Sequence, residues 1–140
     1  MRAKLLLIIG FAIIFFFPKS DFAFATNWQY VGTLTLSSGE VRKDYVDADS
    51  VVYDKNDHTM KFWVLSEIHF DKNVIKSLKR YSTDIKDILL PTRMLEYKTF
   101  SENSILILED KTPSTIINYY PEDVSLLGRA IDIAEDYIKK

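Results

Sequence analysis

Cysteine is missing from the whole chain, and glycine and histidine are scarce. The 140 residues include no Cys, four Gly and two His. Without cysteine the protein has no disulfide bond, no thiol nucleophile and no thiolate ligand for zinc. So few glycines also leave no Gly-rich loop that cradles a phosphate. The fold must therefore be held by burial and hydrogen bonds alone, and functions that depend on thiol chemistry are excluded.

The remaining candidate metal and catalytic residues lack the spacing that such sites need. His58 and His69 are isolated from each other, and a lone histidine is more often a surface residue than a ligand. The aspartates between positions 44 and 57 have neither the central Gly nor the distant Glu of a calcium-binding loop. Neither Gly-x-Ser-x-Gly nor His-Glu-x-x-His occurs in the sequence. We therefore expect no metal, no cofactor and no enzyme activity.

Long apolar runs are rare too, and the clearest one lies at the N-terminus. Two basic residues precede 13 apolar residues from Leu5 to Phe17, and small residues follow at positions 23 and 25. This order is typical of a cleaved signal peptide, whereas a membrane-spanning helix needs about 20 apolar residues. We predict that residues 1–25 are a cleaved signal peptide and that the mature, exported domain comprises residues 26–140.

Basic residues are in the minority in the predicted mature chain. Removal of residues 1–25 takes away three basic residues and one acidic residue, so the formal net charge changes from −2 to about −4. A nucleic-acid binder needs a concentrated basic face that displaces counterions from phosphates. We expect no nucleic-acid partner, and the mature length fits one domain with a single core.

Alternating apolar and polar residues predict several β-strands. The clearest alternation runs from Thr59 to Phe70, where one face is nearly all apolar and the other mixes charge with Trp63. Further strands are predicted at residues 28–36, 41–46, 92–100 and 104–108, and the last two form a hairpin. Residues 74–90 leave helix and strand both open, because their apolar positions suit a helix while Ser82, Thr83 and Asp84 interrupt it.

The C-terminal segment changes to the period of an α-helix. Its stripe consists of residues spaced three and four apart, namely Val124, Leu127, Ile131, Ala134 and Ile138. Pro121 suits a first helical turn. The sequence therefore predicts an α+β domain, with a small antiparallel β-sheet and a C-terminal α-helix packed on it.

The middle of the chain is locally basic and contains the best candidate for an interaction surface. Such a run is usually a solvated face, and the alternative is a docking surface for an acidic partner. Trp63 is the candidate anchor, because tryptophan is enriched at the centres of interfaces. The other interpretation of Trp63 is a residue that covers the sheet. The candidate binding residues are Trp63, Lys72, Lys76, Lys79, Arg80 and Tyr81.

Several short segments resemble the sequence motifs of a known protein family. They are Trp28-Gln29-Tyr30-Val31-Gly32, Tyr45-Val46-Asp47 followed by Ser50-Val51, Lys61-Phe62-Trp63-Val64, Lys79 to Thr83, Arg93 to Phe100, and Tyr120-Pro121 followed by Ser125. Together with the predicted signal peptide, these segments resemble the bacterial surface-adhesin protein E-like family. The resemblance covers most of residues 26–140, although each motif is short.

The resemblance implies a small antiparallel sheet with a C-terminal helix, in an envelope or surface protein of a Gram-negative bacterium. It also implies adhesion to host matrix or plasma proteins, and dimers. This chain departs from the family where cysteines commonly join sheet to helix, since Thr83 stands at the first of those positions. Helix packing must then replace the disulfide, and burial of each large apolar residue of the stripe contributes about 1.5 to 3 kcal/mol.

The leading hypothesis is a non-enzymatic protein of the periplasm or cell surface that binds a host protein or an envelope partner, with a homodimer as a further expectation. One alternative is a periplasmic accessory or structural protein without a host ligand. A second alternative is a small periplasmic enzyme that uses Glu67 or Glu96 with Tyr81 or Tyr97. No spacing singles out those four residues.

Overall fold

The computed structural model describes residues 27–119 and 125–138. The strands are β1 (Trp28–Thr35), β2 (Val41–Asp47), β3 (Val52–Asp54), β4 (Thr59–Phe70), β5 (Asn73–Asp84), β6 (Pro91–Phe100), β7 (Leu106–Asp110) and β8 (Asn118–Tyr119). A 3-10 turn at Ala48–Ser50 follows β2, and the helix α1 spans Leu126–Asp136. The predicted signal peptide, Pro121 and Val124 lie outside the described residues.

The eight strands within the described residues form one antiparallel sheet that curls into a half-barrel. The strand order is β1-β2-β4-β5-β6-β7, with β3 beside β4 and β8 beside β6. The α+β class is as predicted, but the sheet is larger than the small sheet we expected. The main reason is the segment that the sequence left open, because most of residues 74–90 belongs to the 12-residue strand β5. This strand pairs with β4 over its full length and with β6 on its other side.

Alternation along β4 divides the sheet into two faces. Met60, Phe62 and Val64 point to the helix face, where they join a core that includes buried residues of α1. Trp63 and Leu65 point to the opposite side, which we call the Trp63 face. The buried residues of the helix-face core are Val31, Val46, Val51, Met60, Phe62, Val64, Leu90, Ala130, Ile131 and Ala134. The smaller core of the Trp63 face contains Leu65, Leu78 and Phe100.

Helix α1 packs on the sheet through the predicted stripe. Ile131 and Ala134 are fully buried, while Leu127 and Ile138 are partly buried against the same core. Ser125 caps the helix, because its side-chain oxygen accepts a hydrogen bond from the Gly128 amide at 2.9 Å. The predicted packing of the C-terminal helix is thus confirmed over residues 126–136, and Ile138 continues the contact just beyond the end of the helix. Within the described residues, no helix has the length and apolar character needed to cross a membrane.

Thr83, which stands where the resembled family has a cysteine, is fully buried. Its hydroxyl lies 3.0 Å from the hydroxyl of Thr92 on the paired strand β6. The Thr92 hydroxyl also donates to the Leu90 carbonyl at 2.7 Å. A local hydrogen-bond network therefore satisfies this buried position, because a hydroxyl that is left unpaired in a core costs free energy.

Candidate functional site

The strand β5 distributes the predicted binding residues over both faces of the sheet. Consecutive strand residues point to opposite faces. Arg80 pairs directly with Trp63 across β4 and β5, so Arg80 shares the face of Trp63. The same alternation places Lys76 on the Trp63 face and both Lys79 and Tyr81 on the helix face, while Lys72 is exposed in the turn before β5. The six residues therefore do not form one surface.

Trp63 is a half-buried residue at the rim of the smaller core. Its ring packs against the cluster of Leu65, Leu78 and Phe100. The ammonium of Lys98 lies 5.4 Å from the Trp63 ring centroid, which is within the range of a cation–π contact. Trp63 thus covers part of the core and presents the rest of its ring beside a cation.

The carboxylates considered for catalysis lie apart from the tyrosines considered with them. Glu67 and Glu96 are on the Trp63 face, where Glu96 Oε1 lies 3.2 Å from Arg80 Nη1 and Glu67 Oε2 lies 3.2 Å from His69 Nε2. Tyr81 and Tyr97 belong to the helix face. The thickness of the sheet separates the two kinds of side chain, so these pairs do not converge on one site.

The aspartates between positions 44 and 57 stabilise turns and an ion pair. Asp54 and Asp57 accept hydrogen bonds from backbone amides two residues ahead, at 2.8 and 3.0 Å. The Thr59 hydroxyl also donates to Asp57 and holds the pKa of this carboxyl below its usual value. Over the described ranges 27–119 and 125–138, no three His, Asp or Glu side chains come close enough to hold a metal ion.

The edge strand β7 exposes an apolar segment that sequence reasoning treated only as half of a hairpin. The hairpin with β6 is confirmed, and β7 is the last strand in the sheet order. The exposed fractions are 63% for Ile105, 46% for Leu106, 62% for Ile107 and 54% for Leu108. We call residues 105–108 the β7 edge. Four successive apolar residues without alternation are typical of a strand that is buried on both faces. This unbroken run is the sequence feature that could have indicated an interaction segment.

The β7 edge is continuous with the Trp63 face. Leu106 pairs with the buried Phe100 of the smaller core. Next along the strands, Lys98 Nζ lies 3.8 Å from Glu109 Oε1, and the same ammonium lies over the Trp63 ring. An exposed apolar edge, a half-buried tryptophan and basic side chains therefore form one connected surface.

A second feature is a cleft of about 530 Å³ on the helix face. It opens between the start of α1 and strands β1, β2 and β5. Its lining residues are Thr33, Leu34, Arg42, Lys79, Tyr81, Ser125, Leu126, Leu127 and Arg129. The sequence did not indicate this cleft, because its walls come from segments that are far apart along the chain.

Three cations line the cleft, and they differ in their partners. Arg42 forms a two-pronged ion pair with the buried Asp44, with Nε–Oδ1 and Nη2–Oδ2 distances of 2.9 and 2.7 Å. Burial lowers the pKa of Lys79, repulsion from Arg42 lowers it further, and attraction by Asp44 opposes both. The Nη1 atom of Arg129 lies 3.1 Å from the position that a Cβ on Gly32 would occupy. The packing of α1 on β1 therefore places this guanidinium at the cleft.

The chain matches no protein-family model, no curated protein and no solved structure. The resemblance to the surface-adhesin protein E-like family accordingly rests on the short sequence segments given above.

Proposed function

We propose that this is an exported envelope or surface protein of a Gram-negative bacterium that acts by binding other proteins. The β7 edge and the adjoining Trp63 face form the binding surface. The observation that carries the proposal is the exposure of four successive apolar residues, Ile105 immediately before the last strand of the sheet and residues 106–108 within it. The predicted signal peptide and the family resemblance support the location.

An exposed apolar edge strand of this kind is prone to pair with other chains, so its persistence favours a role in binding. Edge strands present unpaired N–H and C=O groups, and proteins usually protect them with Lys, Pro, bulges or covering segments. Residues 105–108 contain neither Lys nor Pro, and the one irregularity of this edge is a shift of the β6–β7 register at Ile107, between Leu106 and Leu108. Contiguous apolar surface of this sort commonly marks an interaction site. A partner strand that adds to β7 would gain main-chain hydrogen bonds, while alternate apolar side chains would supply specificity.

We propose an extended segment of a different protein as the occupant. Stable interfaces bury about 1,200 to 2,000 Å² in total, and two five-residue strands pairing alone make a small contact by comparison. A segment that also covers Trp63 would enlarge the contact. Lys76, Arg80 and Lys98 alternate on this face with Glu67, Glu96 and Glu109, so we propose that the cations meet acidic side chains of the partner, since complementary charge speeds association. The homodimer implied by the family resemblance is the second candidate.

Site-specific photocrosslinking in the producing bacterium tests this proposal. A photoreactive amino acid at position 107 should form a crosslinked product, because Ile107 lies on the proposed binding edge. The same amino acid at position 88 is the matched control, since Ile88 is 92% exposed but lies in the loop before β6. A product of twice the mass of the chain would identify a homodimer, whereas a product of another mass would identify a different protein. Equal crosslinking at both positions, or none at position 107, would contradict the proposal.

Protease treatment of intact cells separates adhesion from the accessory role. Digestion of the protein by external protease would place it on the surface, where it meets host matrix or plasma proteins. Protection until the outer membrane is opened would favour an envelope partner. Recovery in the cytoplasmic fraction would contradict the predicted export.

A further inference from the structure

The cleft beside α1 is lined by three cationic side chains, those of Arg42, Lys79 and Arg129. Arg42 is compensated by the buried carboxylate of Asp44, to which it makes two contacts. Lys79 and Arg129 also line the cleft. In the part of the chain that the structure describes, no carboxylate lies within ion-pair distance of either side chain. The cleft therefore has two cationic groups to offer to an anion.

A bound anion would stabilise the charged form of Lys79. Its pKa is lowered by burial and by the nearby Arg42, and the attraction of Asp44 only partly offsets them, so the charged ammonium is destabilised there. A bound carboxylate would supply the opposite charge and would raise that pKa. Arg129 adds a planar guanidinium that matches the two oxygens of a carboxylate.

The remaining wall of the cleft is apolar and hydroxylated. Leu34, Leu126 and Leu127 provide apolar surface, while Tyr81 and Ser125 provide hydroxyl groups. Pockets for small molecules commonly combine an apolar lining with a few polar groups that fix orientation. This lining suits a ligand that has a charged head and an apolar portion better than it suits a fully polar ion.

We propose that this cleft binds a small organic carboxylate that has an apolar chain. The carboxylate contacts Lys79 and Arg129, and the chain lies along Leu34, Leu126 and Leu127. The site is on the helix face, whereas the proposed protein-binding surface is on the β7 edge and the Trp63 face.

Calorimetric titration of the full exported protein with decanoate, below its micelle concentration, tests the site. Decanol and decyltrimethylammonium are the matched probes, because they keep the chain and replace the negative charge by no charge or a positive charge. We expect saturable binding of decanoate and at least ten-fold weaker binding of both other probes, since hydrogen bonds to charged groups contribute about 1.5 to 3 kcal/mol. Inorganic phosphate tests the need for the apolar chain and should bind more weakly than decanoate.

Two variants assign the binding to the cleft. Lys79→Met and Arg129→Gln should each weaken decanoate binding about ten-fold or more, and Arg129→Gln is the safer for folding because Arg129 is exposed on α1. Lys86→Met, in an exposed loop, is the control and should bind as the unaltered protein does. NMR titration of the Lys79 side chain should show a higher pKa in the presence of decanoate.

Unchanged decanoate affinity in both cleft variants would overturn the proposal, as would equal affinity for decanol or for inorganic phosphate. The photocrosslinking result at position 107 is independent of these measurements. Failure of the cleft proposal would therefore leave the protein-binding proposal standing, and the reverse also holds.

Discussion

A Cβ atom placed on Gly32 would lie 2.9 Å from Cδ2 of Leu126, so the first turn of α1 packs directly on the backbone of β1. Real Cβ contacts are longer than this, so a larger residue at position 32 must displace the helix or rearrange Leu126. The close approach joins the C-terminal helix to the first strand and forms one wall of the cleft.

Gly32→Val should destabilise the protein by about 1 to 3 kcal/mol, because extra carbon atoms in a closely packed contact force side chains and backbone to shift. Thr35→Val is the control, since Thr35 is an exposed residue of the same strand. Urea unfolding measures both variants. Equal midpoints for the two variants would show that α1 does not pack on Gly32.

Ile131→Ala should cost about 2 to 5 kcal/mol, since Ile131 is fully buried in the helix-face core and truncation leaves a cavity. Asp132→Ala changes the next residue, which is exposed, and should have a much smaller effect. The comparison is again the free energy of unfolding in urea. A loss at position 131 no larger than that at position 132 would mean that the helix is peripheral to the fold.

Lys79→Met should stabilise the protein near neutral pH. The difference in free energy of unfolding between this variant and the unaltered protein should shrink as the pH approaches 10.5. The folded pKa of Lys79 is lowered below its usual 10.5, chiefly by burial and then by Arg42, against the attraction of Asp44. The unfolded chain therefore binds more protons between the folded pKa and 10.5, so the free energy of unfolding of the unaltered protein rises with pH in that window.

Urea unfolding at a series of alkaline pH values checks the Lys79 prediction. The difference between the variant and the unaltered protein removes contributions common to both, such as that of Tyr45, whose pKa is raised mainly by burial. Lys86→Met controls for the general loss of a positive charge. A stability difference that is constant with pH would contradict the lowered pKa.

Charge reversal on the two faces should have different effects on protein binding. Lys76→Glu with Arg80→Glu changes the Trp63 face and should slow association with the partner identified by crosslinking, more strongly at low salt. Lys79→Glu changes the helix face and should leave that association rate unchanged. Stopped-flow or surface-based kinetics at two salt concentrations measure both. Equal slowing by both changes would argue against the Trp63 face as the contact.

The exported protein should begin at Thr26, because the small residues at positions 23 and 25 suit a signal peptidase. Intact mass of the protein from the envelope fraction checks the cleavage. A mass that includes residue 1 would show that the N-terminal apolar segment is retained.

Local periodicity was sufficient for several elements. The alternation from Thr59 to Phe70 predicted β4 and its two faces, and the stripe containing Ile131 and Ala134 predicted a helix packed on the sheet. These patterns are reliable because each element buries a single side, so its apolar spacing reflects its own geometry. The same alternation predicted that Trp63 lies on the face opposite Phe62, a placement shared by both interpretations of Trp63, as a binding anchor and as a residue that covers the sheet.

Residues 74–90 show where local patterns were insufficient. Their apolar spacing suited a helix, yet Asn73–Asp84 forms a central strand with neighbours on both sides. Pairing with β4 and β6 decided the outcome, because β preference depends on cross-strand neighbours more than on the segment itself. Once β5 is a strand, Lys79 and Arg80 must point to opposite faces, which divides the predicted basic surface.

The sequence by itself determined the absence of thiol chemistry, the α+β class, the strand β4 and the apolar stripe of α1, because these follow from composition and from spacing within short segments. Only the tertiary structure decided the size of the sheet, the exposure of the β7 edge and the meeting of Lys79 with Arg129 at one cleft. Those features depend on which distant segments pair and on where the curled sheet ends. Such relationships between distant residues leave no periodic signal in the chain.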